Sequence, residues 1–177
     1  MSGTLLWVQR LLYCVLALMA ILFPLLPLSM DGSQVVLPDL FFAISAAWVV
    51  RRPESAPFLL VALLALLADF LQSRPPGLWA LVTLLGVEFL RGQREVMLDR
   101  FYFNEWITQG IVFAVMLLLN GLILTLALVP TPETGETWPL LFTTIAILPA
   151  IALVLHYVFV IRPPKPAERV RQFGRLT

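Results

Sequence analysis

The chain has 177 residues, of which 60% are hydrophobic and 13% charged, against about 45–50% and about 25% in an average soluble domain. That composition excludes an ordinary water-soluble fold. Six membrane spans of about 20 residues would use about 120 residues and leave fewer than about 60, too few for a separate soluble domain. The net charge of +1 offers no broad basic face, so no nucleic-acid partner is expected. The single cysteine, Cys14, excludes an internal disulfide and a multi-cysteine metal cage. Its apolar setting points to inert packing.

The first apolar run goes from Leu11 to about Leu28, with Pro24 and Pro27 at its far end, where they disturb few backbone bonds. It reads as a span and not a cleaved signal, because Pro, Leu and Met follow Leu22 where a cleavage site would carry small residues. A second run begins at about Val35, continues through Pro38 and Asp39, and stops at Arg51-Arg52. A third starts near Pro57 and ends around Leu71, and a fourth covers Leu78 to Leu90. These three have uninterrupted apolar stretches of only about 12–14 residues, short for a full crossing unless flanking Arg and Trp side chains reach the interfaces. Trp106 to Val129 and Pro139 to Ile161 form the fifth and sixth runs, separated by the acidic turn at 130–136. The expected organisation is a polytopic domain over residues 1–161 and a basic cytoplasmic tail over 162–177, which has three prolines and five basic residues.

Lys and Arg in short loops collect on the cytoplasmic side. With six crossings, eleven of the twelve basic residues fall on one side and only Arg74 on the other. The fold class expected is therefore an all-α integral membrane protein of about six helices with both termini in the cytoplasm.

A carboxylate near the bilayer centre costs at least about 2.5–3.5 kcal/mol, so three acidic residues need an explanation. Asp39 follows Pro38 at the start of the second span, where proline suits the first helical position and a carboxylate suits the positive end of the helix dipole. Glu88 lies three residues before Arg91 and pairs with it at an interface. Asp69 shares one helical stripe with Ala62, Ala65 and Gln72, small at one end and polar at the other. Such a stripe serves close packing within the chain, or it contacts a partner or substrate. Asp39 and Asp69 lie toward the same outer face, where Arg74 is a partner for either.

Asn120, in the middle of the fifth span, is expected to hydrogen-bond across helices. His156 reads as a headgroup-level or carbonyl-bonded imidazole, since no carboxylate shares its span to make a proton relay. Trp48, Trp79, Trp106, Trp138 and Tyr157, with Phe101-Tyr102-Phe103, read as interface belts. The stretch Arg91 to Glu105 reads either as a short helix on the membrane surface or as a solvated loop, with Asn104 as N-cap of the fifth span.

No zinc pattern, Gly-x-Ser-x-Gly elbow, phosphate-cradling glycine loop or Cys/His pair occurs, so neither catalytic residues nor a cofactor or metal site is expected. The one enzymatic arrangement left is an intramembrane dyad of Asp39 and Asp69 sharing a proton. It would resemble the lipoprotein signal peptidases, although the Asn and Ala context of such an aspartate is missing.

The segments Val36-Leu37-Pro38-Asp39-Leu40 with Trp48, Leu66-Leu67-Ala68-Asp69-Phe70, Pro75-Pro76-Gly77-Leu78 and Ala80-Leu81 resemble the rod shape-determining protein family MreD. The similarity is densest from about Leu37 to Leu90. Three positions depart from the family pattern: Leu37 stands for a basic residue, Ala65 for a glycine and Pro76 for the turn leucine. The resemblance implies a non-enzymatic scaffold of the bacterial elongation machinery in the cytoplasmic membrane. Its partner would be the bitopic MreC, with MreB, RodA and a class B penicillin-binding transpeptidase reached indirectly, and with membrane lipids around it. Residues Pro38, Asp39, Trp48, Ala62, Ala65, Asp69, Gln72, Pro75 and Gly77 are the candidate partner-contact or structural-motif positions. The family's fold is similar to the substrate-binding subunits of energy-coupling-factor vitamin transporters, which makes a small-solute transporter subunit the alternative. That alternative requires a polar pocket open to the outside, for which Asp39, Asp69 and Arg74 are the available lining.

Overall fold

The computed structural model describes residues 3–26, 36–98, 102–129 and 134–157. The basic tail 162–177 and the loop around Asp31 lie outside the described residues. Six α-helices follow one another: α1 (Gly3–Leu22), α2 (Leu40–Arg51), α3 (Phe58–Leu71), α4 (Leu78–Leu98), α5 (Tyr102–Leu126) and α6 (Thr134–Tyr157). There is no strand among the described residues. Three segments, Gly3–Leu25, Phe103–Leu126 and Thr137–Tyr157, are long and apolar enough to cross a bilayer, and the chain is a membrane protein of all-α class.

α2 is the centre of the molecule, although it has only 12 residues. All of them except Leu40 and Ile44 are buried, in keeping with the rule that a helix apolar on every side is wrapped by others. Ala43, Ala46 and Ala47 are fully covered and let α1, α4 and α6 approach closely. A 12-residue helix rises about 18 Å, well short of a hydrocarbon core about 30 Å thick. The deficit is tolerable because protein and not lipid surrounds its ends, where backbone groups and charges find partners.

The outer surface carries the large apolar side chains. On α3, Leu59, Leu63, Leu66 and Phe70 are exposed, while Val61, Leu64, Ala65, Ala68 and Asp69 face inward. On α5, Ile111, Val115, Leu118 and Leu122 form an equivalent exposed stripe. Large apolar groups on the outer faces of these helices are what a hydrocarbon solvent permits, while Trp48, Phe42 and Phe113 fill the interior beside the small residues.

Several expectations are corrected. α1 starts at Gly3, so Arg10 sits within it and donates from Nη2 to the Glu54 carbonyl at 3.3 Å. Arg91–Leu98 are the last turns of α4 and Tyr102–Glu105 the first turn of α5, so no separate surface helix exists among the described residues. The good helix formers Arg, Gln, Glu, Met and Leu after Leu90 give α4 no reason to stop. Asn104 lies inside α5 and does not cap it. Pro38 stands before the cap residue of α2 and not at the first helical position.

α6 contains Pro149, which has no N–H to offer the carbonyl of Ile145. That carbonyl instead accepts from the Trp106 indole Nε1 at 2.8 Å, which fastens α5 to α6 at the point where the proline breaks the ladder. On α4, Gly86 admits Met116 of α5: a Cβ there would lie 2.5 Å from the Met116 sulfur.

Candidate functional site

The residues of the sequence motifs gather at the Asp39 end of α2. Asp39 is the N-cap: Oδ1 accepts from the Phe42 N–H at 2.8 Å, satisfying one of the free donors at the helix start. Its Oδ2 accepts from the Trp79 indole of α4 at 3.0 Å and lies 3.8 Å from Arg74 Nη1. Its own N–H donates to Thr144 Oγ1 of α6 at 3.0 Å. One aspartate thus joins α2, the α3–α4 turn, α4 and α6. Arg74 lies over the Trp79 ring, 5.1 Å from its centroid, so that cation, indole and carboxylate form one cluster.

Asp69 does the corresponding work for α4. Its Oδ2 accepts from the N–H groups of Gly77 at 2.9 Å and Ala80 at 3.0 Å. The turn that brings α4 back needs Ser73 at φ 53° and Gly77 at φ 88°, and glycine takes the latter without strain. Pro75, exposed in the same turn, accepts through its carbonyl from the Leu78 N–H at 3.3 Å. Asp69 is fully buried, Ala65 is 2% exposed and Ala62 half-buried, while Gln72 Nε2 donates to the Ile21 carbonyl of α1 at 3.3 Å. The Ala62–Gln72 stripe is therefore a contact face, as its pattern predicts, and what it contacts is this chain's own α1 and α4. Both aspartates accept N–H groups at a helix start, Asp69 through Oδ2 alone, its buried Oδ1 having no hydrogen-bond partner among the described residues.

Beside this cluster a cavity of about 250 Å³ is lined by Asp39, Gln72 and Arg74 together with Pro38, Phe41 and Leu140. Asp69 is not part of its wall.

A second polar cluster, at the Arg51 end of α2, was not expected from the sequence. The Arg51 guanidinium, 2% exposed, makes a two-pronged ion pair with Glu105 of α5, with Nη1 to Oε1 at 2.5 Å and Nη2 to Oε2 at 3.3 Å. Nη1 also donates to the Ala47 carbonyl at 2.9 Å, and Gln109 Nε2 donates to Glu105 Oε1 at 3.0 Å. The readable signals were a basic residue at a helix C-terminus and a Glu–Gln pair four apart, each satisfied locally on paper. Their meeting depends on tertiary structure, across 54 residues of chain. A cavity of about 420 Å³ adjoins this pair, between α5 and the last turns of α6.

The aromatic belt needs revision. Trp48 is fully buried, donates to Ser55 Oγ at 2.8 Å and packs against Tyr13, with ring centroids 5.4 Å apart. Trp79 and Trp106 likewise spend their N–H groups inside the chain. Trp138, Phe103 and Tyr157 are exposed, where a belt would have them. Phe101 and the side chain of Tyr102 lie outside the described residues. Glu88 and Arg91 pair at 3.2 Å as expected, and Arg91 also donates to the Ala56 carbonyl. Asn120 makes no hydrogen bond among the described residues, contrary to expectation, and its helix face is half-buried. The Nδ1 of His156 is buried and has no hydrogen-bond partner among the described residues. Comparison with protein-family models, with curated proteins and with solved structures finds no match.

Proposed function

We propose that this chain is a non-enzymatic, six-span scaffold of the MreD type in the bacterial cytoplasmic membrane, with both termini in the cytoplasm. In this role it helps to maintain rod shape by binding an MreC-like bitopic protein and, through it, linking MreB filaments to peptidoglycan synthesis by RodA and a class B transpeptidase. The observation that carries the reading is convergence. Residues from three separate motif stretches, Pro38-Asp39, Asp69 and Pro75 to Gly77, meet in one cluster where each acid holds a helix in place. Motifs of this kind specify a shape: each acid spends a carboxylate oxygen on the N–H groups of a helix start.

The partner surface in this reading lies on the exposed helix faces and not on the buried Ala62–Gln72 stripe. Co-expression with the MreC-like protein of the same genome, followed by purification in mild detergent, tests the proposal. A stable complex is expected, and its absence under conditions that keep both proteins folded overturns the scaffold reading. An MreC-like coding sequence immediately upstream is the cheapest supporting observation. Topology is tested in a Cys14→Ala background with a cysteine at Ser73 or at Gln93, both exposed. An impermeant maleimide is expected to label Ser73→Cys from outside and Gln93→Cys only after the membrane is opened.

The cavity lined by Asp39, Gln72 and Arg74 favours a second reading, a subunit that binds a small polar solute. A ligand that raises the unfolding temperature of the isolated protein in proportion to the logarithm of its concentration would support this reading over the scaffold.

A further inference from the structure

We infer that the cavity at the Arg51 end of α2 is a binding site for one phospholipid of the adjoining leaflet. At about 420 Å³ it falls within the range of roughly 300–1,000 Å³ typical of ligand sites. Leu148, Pro149, Ala152 and Leu153 of α6 make one wall apolar, and Arg51 stands at its polar end. Leu153 and Tyr157 are more than half exposed on the outer surface of the helix, so the cavity opens toward lipid.

The polar end has unmet capacity. A guanidinium carries five N–H donors. Those of Arg51 reach the Ala47 carbonyl and the two Glu105 oxygens, and no other acceptor bonds to it among the described residues. Beside Arg51 in the cavity wall, the buried Nδ1 of His156 has no hydrogen-bond partner among the described residues. Leaving that nitrogen dry is costly, and an ester carbonyl or phosphate oxygen satisfies its N–H tautomer. Glu105 cancels the Arg51 charge, so the site has little net attraction for a free anion. Acceptor oxygens at one end, an apolar chain along α6 and access from the bilayer describe a phospholipid. The Pro149 break, with Trp106 holding the freed Ile145 carbonyl, keeps the backbone along this wall satisfied while the cavity stays open. The inference requires only that α5 and α6 lie in a bilayer, and it is independent of the scaffold proposal.

Trp106 lines the cavity and provides the probe. In the full-length Trp7→Phe/Trp138→Phe variant the lipid-exposed indoles are gone, and the remaining Trp48 and Trp79 are buried and form no part of the cavity wall. This variant is loaded with phospholipid brominated on its acyl chains and then diluted into excess detergent to strip loosely held lipid. Trp106 emission is expected to stay quenched, and adding Trp106→Phe is expected to abolish the quenching. In parallel, native mass spectrometry of the wild type is expected to show one retained phospholipid. Ala152→Phe, which fills the cavity, is expected to lower lipid affinity about tenfold or more. Leu63→Phe on the exposed face of α3 should leave retention unchanged. Loss of all quenching on dilution, or equal retention by folded Ala152→Phe and wild type, overturns the site. So does stabilisation of the delipidated protein by inorganic phosphate with none by phospholipid. The quenching experiment stands if Ala152→Phe does not fold.

Discussion

Replacing Glu105 by Leu strands the Arg51 guanidinium in the protein interior. The side chain is 2% exposed, and three of its hydrogen bonds are known; the substitution removes two and leaves only the Ala47 carbonyl. Breaking a buried ion pair from one side costs about 3–5 kcal/mol, chiefly through the uncompensated charge. For a chain of this size each kcal/mol lowers the unfolding temperature by about 2–4 °C, so Glu105→Leu should lower it by about 6–20 °C. Arg51→Met should cost less, because Glu105 keeps the Gln109 amide as donor. The double variant Arg51→Met/Glu105→Leu removes both charges and should return to within a few degrees of wild type or above it, as apolar replacements of buried pairs often do. Cys14, the one thiol in the chain and half-buried in α1, allows the assay: a fluorogenic maleimide reports its exposure as detergent-solubilised protein is heated. A Glu105→Leu variant that unfolds with wild type, or a double variant that falls as far as the single, would refute this account of the pair.

Asp69→Ala orphans the Gly77 and Ala80 N–H groups and should cost about 1–3 kcal/mol for each, whereas Asp69→Asn keeps an acceptor oxygen and should retain most of the stability; the same thermal assay separates the two. Gly86→Val puts a branched side chain against Met116 and Val112 and should destabilise the α4–α5 contact by about 1–3 kcal/mol. Adding Met116→Ala should make the double less unstable than the sum of the singles, and strict additivity would show that the clash is relieved some other way. Trp48→Phe leaves a gap beside Tyr13 and removes the indole donor to Ser55 Oγ, whose hydroxyl still donates to the Arg52 carbonyl, and should lower the unfolding temperature; a Trp48→Phe protein with unchanged stability would place Trp48 outside the core.

Local features were readable from the sequence. Asp39 as a helix-start carboxylate, the Glu88–Arg91 pair three residues apart and Arg74 as a partner of Asp39 all follow from spacing and helix electrostatics, and the structure contains each. The small-and-polar stripe from Ala62 to Gln72 was likewise legible as a contact face. Sequence periodicity could not say which helix it meets, because an intrachain and an interchain neighbour select the same side chains. Tryptophan misled for a related reason. An indole at the end of an apolar run satisfies its N–H equally well at a lipid headgroup or on a buried oxygen, and Trp48, Trp79 and Trp106 take the second course. The Arg51–Glu105 pair stayed hidden because each residue, read alone, looks like a helix-end charge near water. Only the shortness of α2, which draws its ends into the protein, brings them together.

That shortness also bears on how the protein is made. A 12-residue helix with a carboxylate at one end and a guanidinium at the other cannot settle alone in a bilayer. Of the helices that enclose it, α1 is synthesised first but α4 and α6 come later, and Glu105, which neutralises Arg51, lies more than 50 residues downstream. Insertion of the N-terminal half is therefore provisional. α2 must be sheltered by the insertion machinery or held at the interface until the last two helices arrive, so biogenesis ends in a concerted closing of the bundle and not in a helix-by-helix sequence. Chains truncated before α5 should be recognised as incomplete and degraded, even though more than half of the sequence is already present.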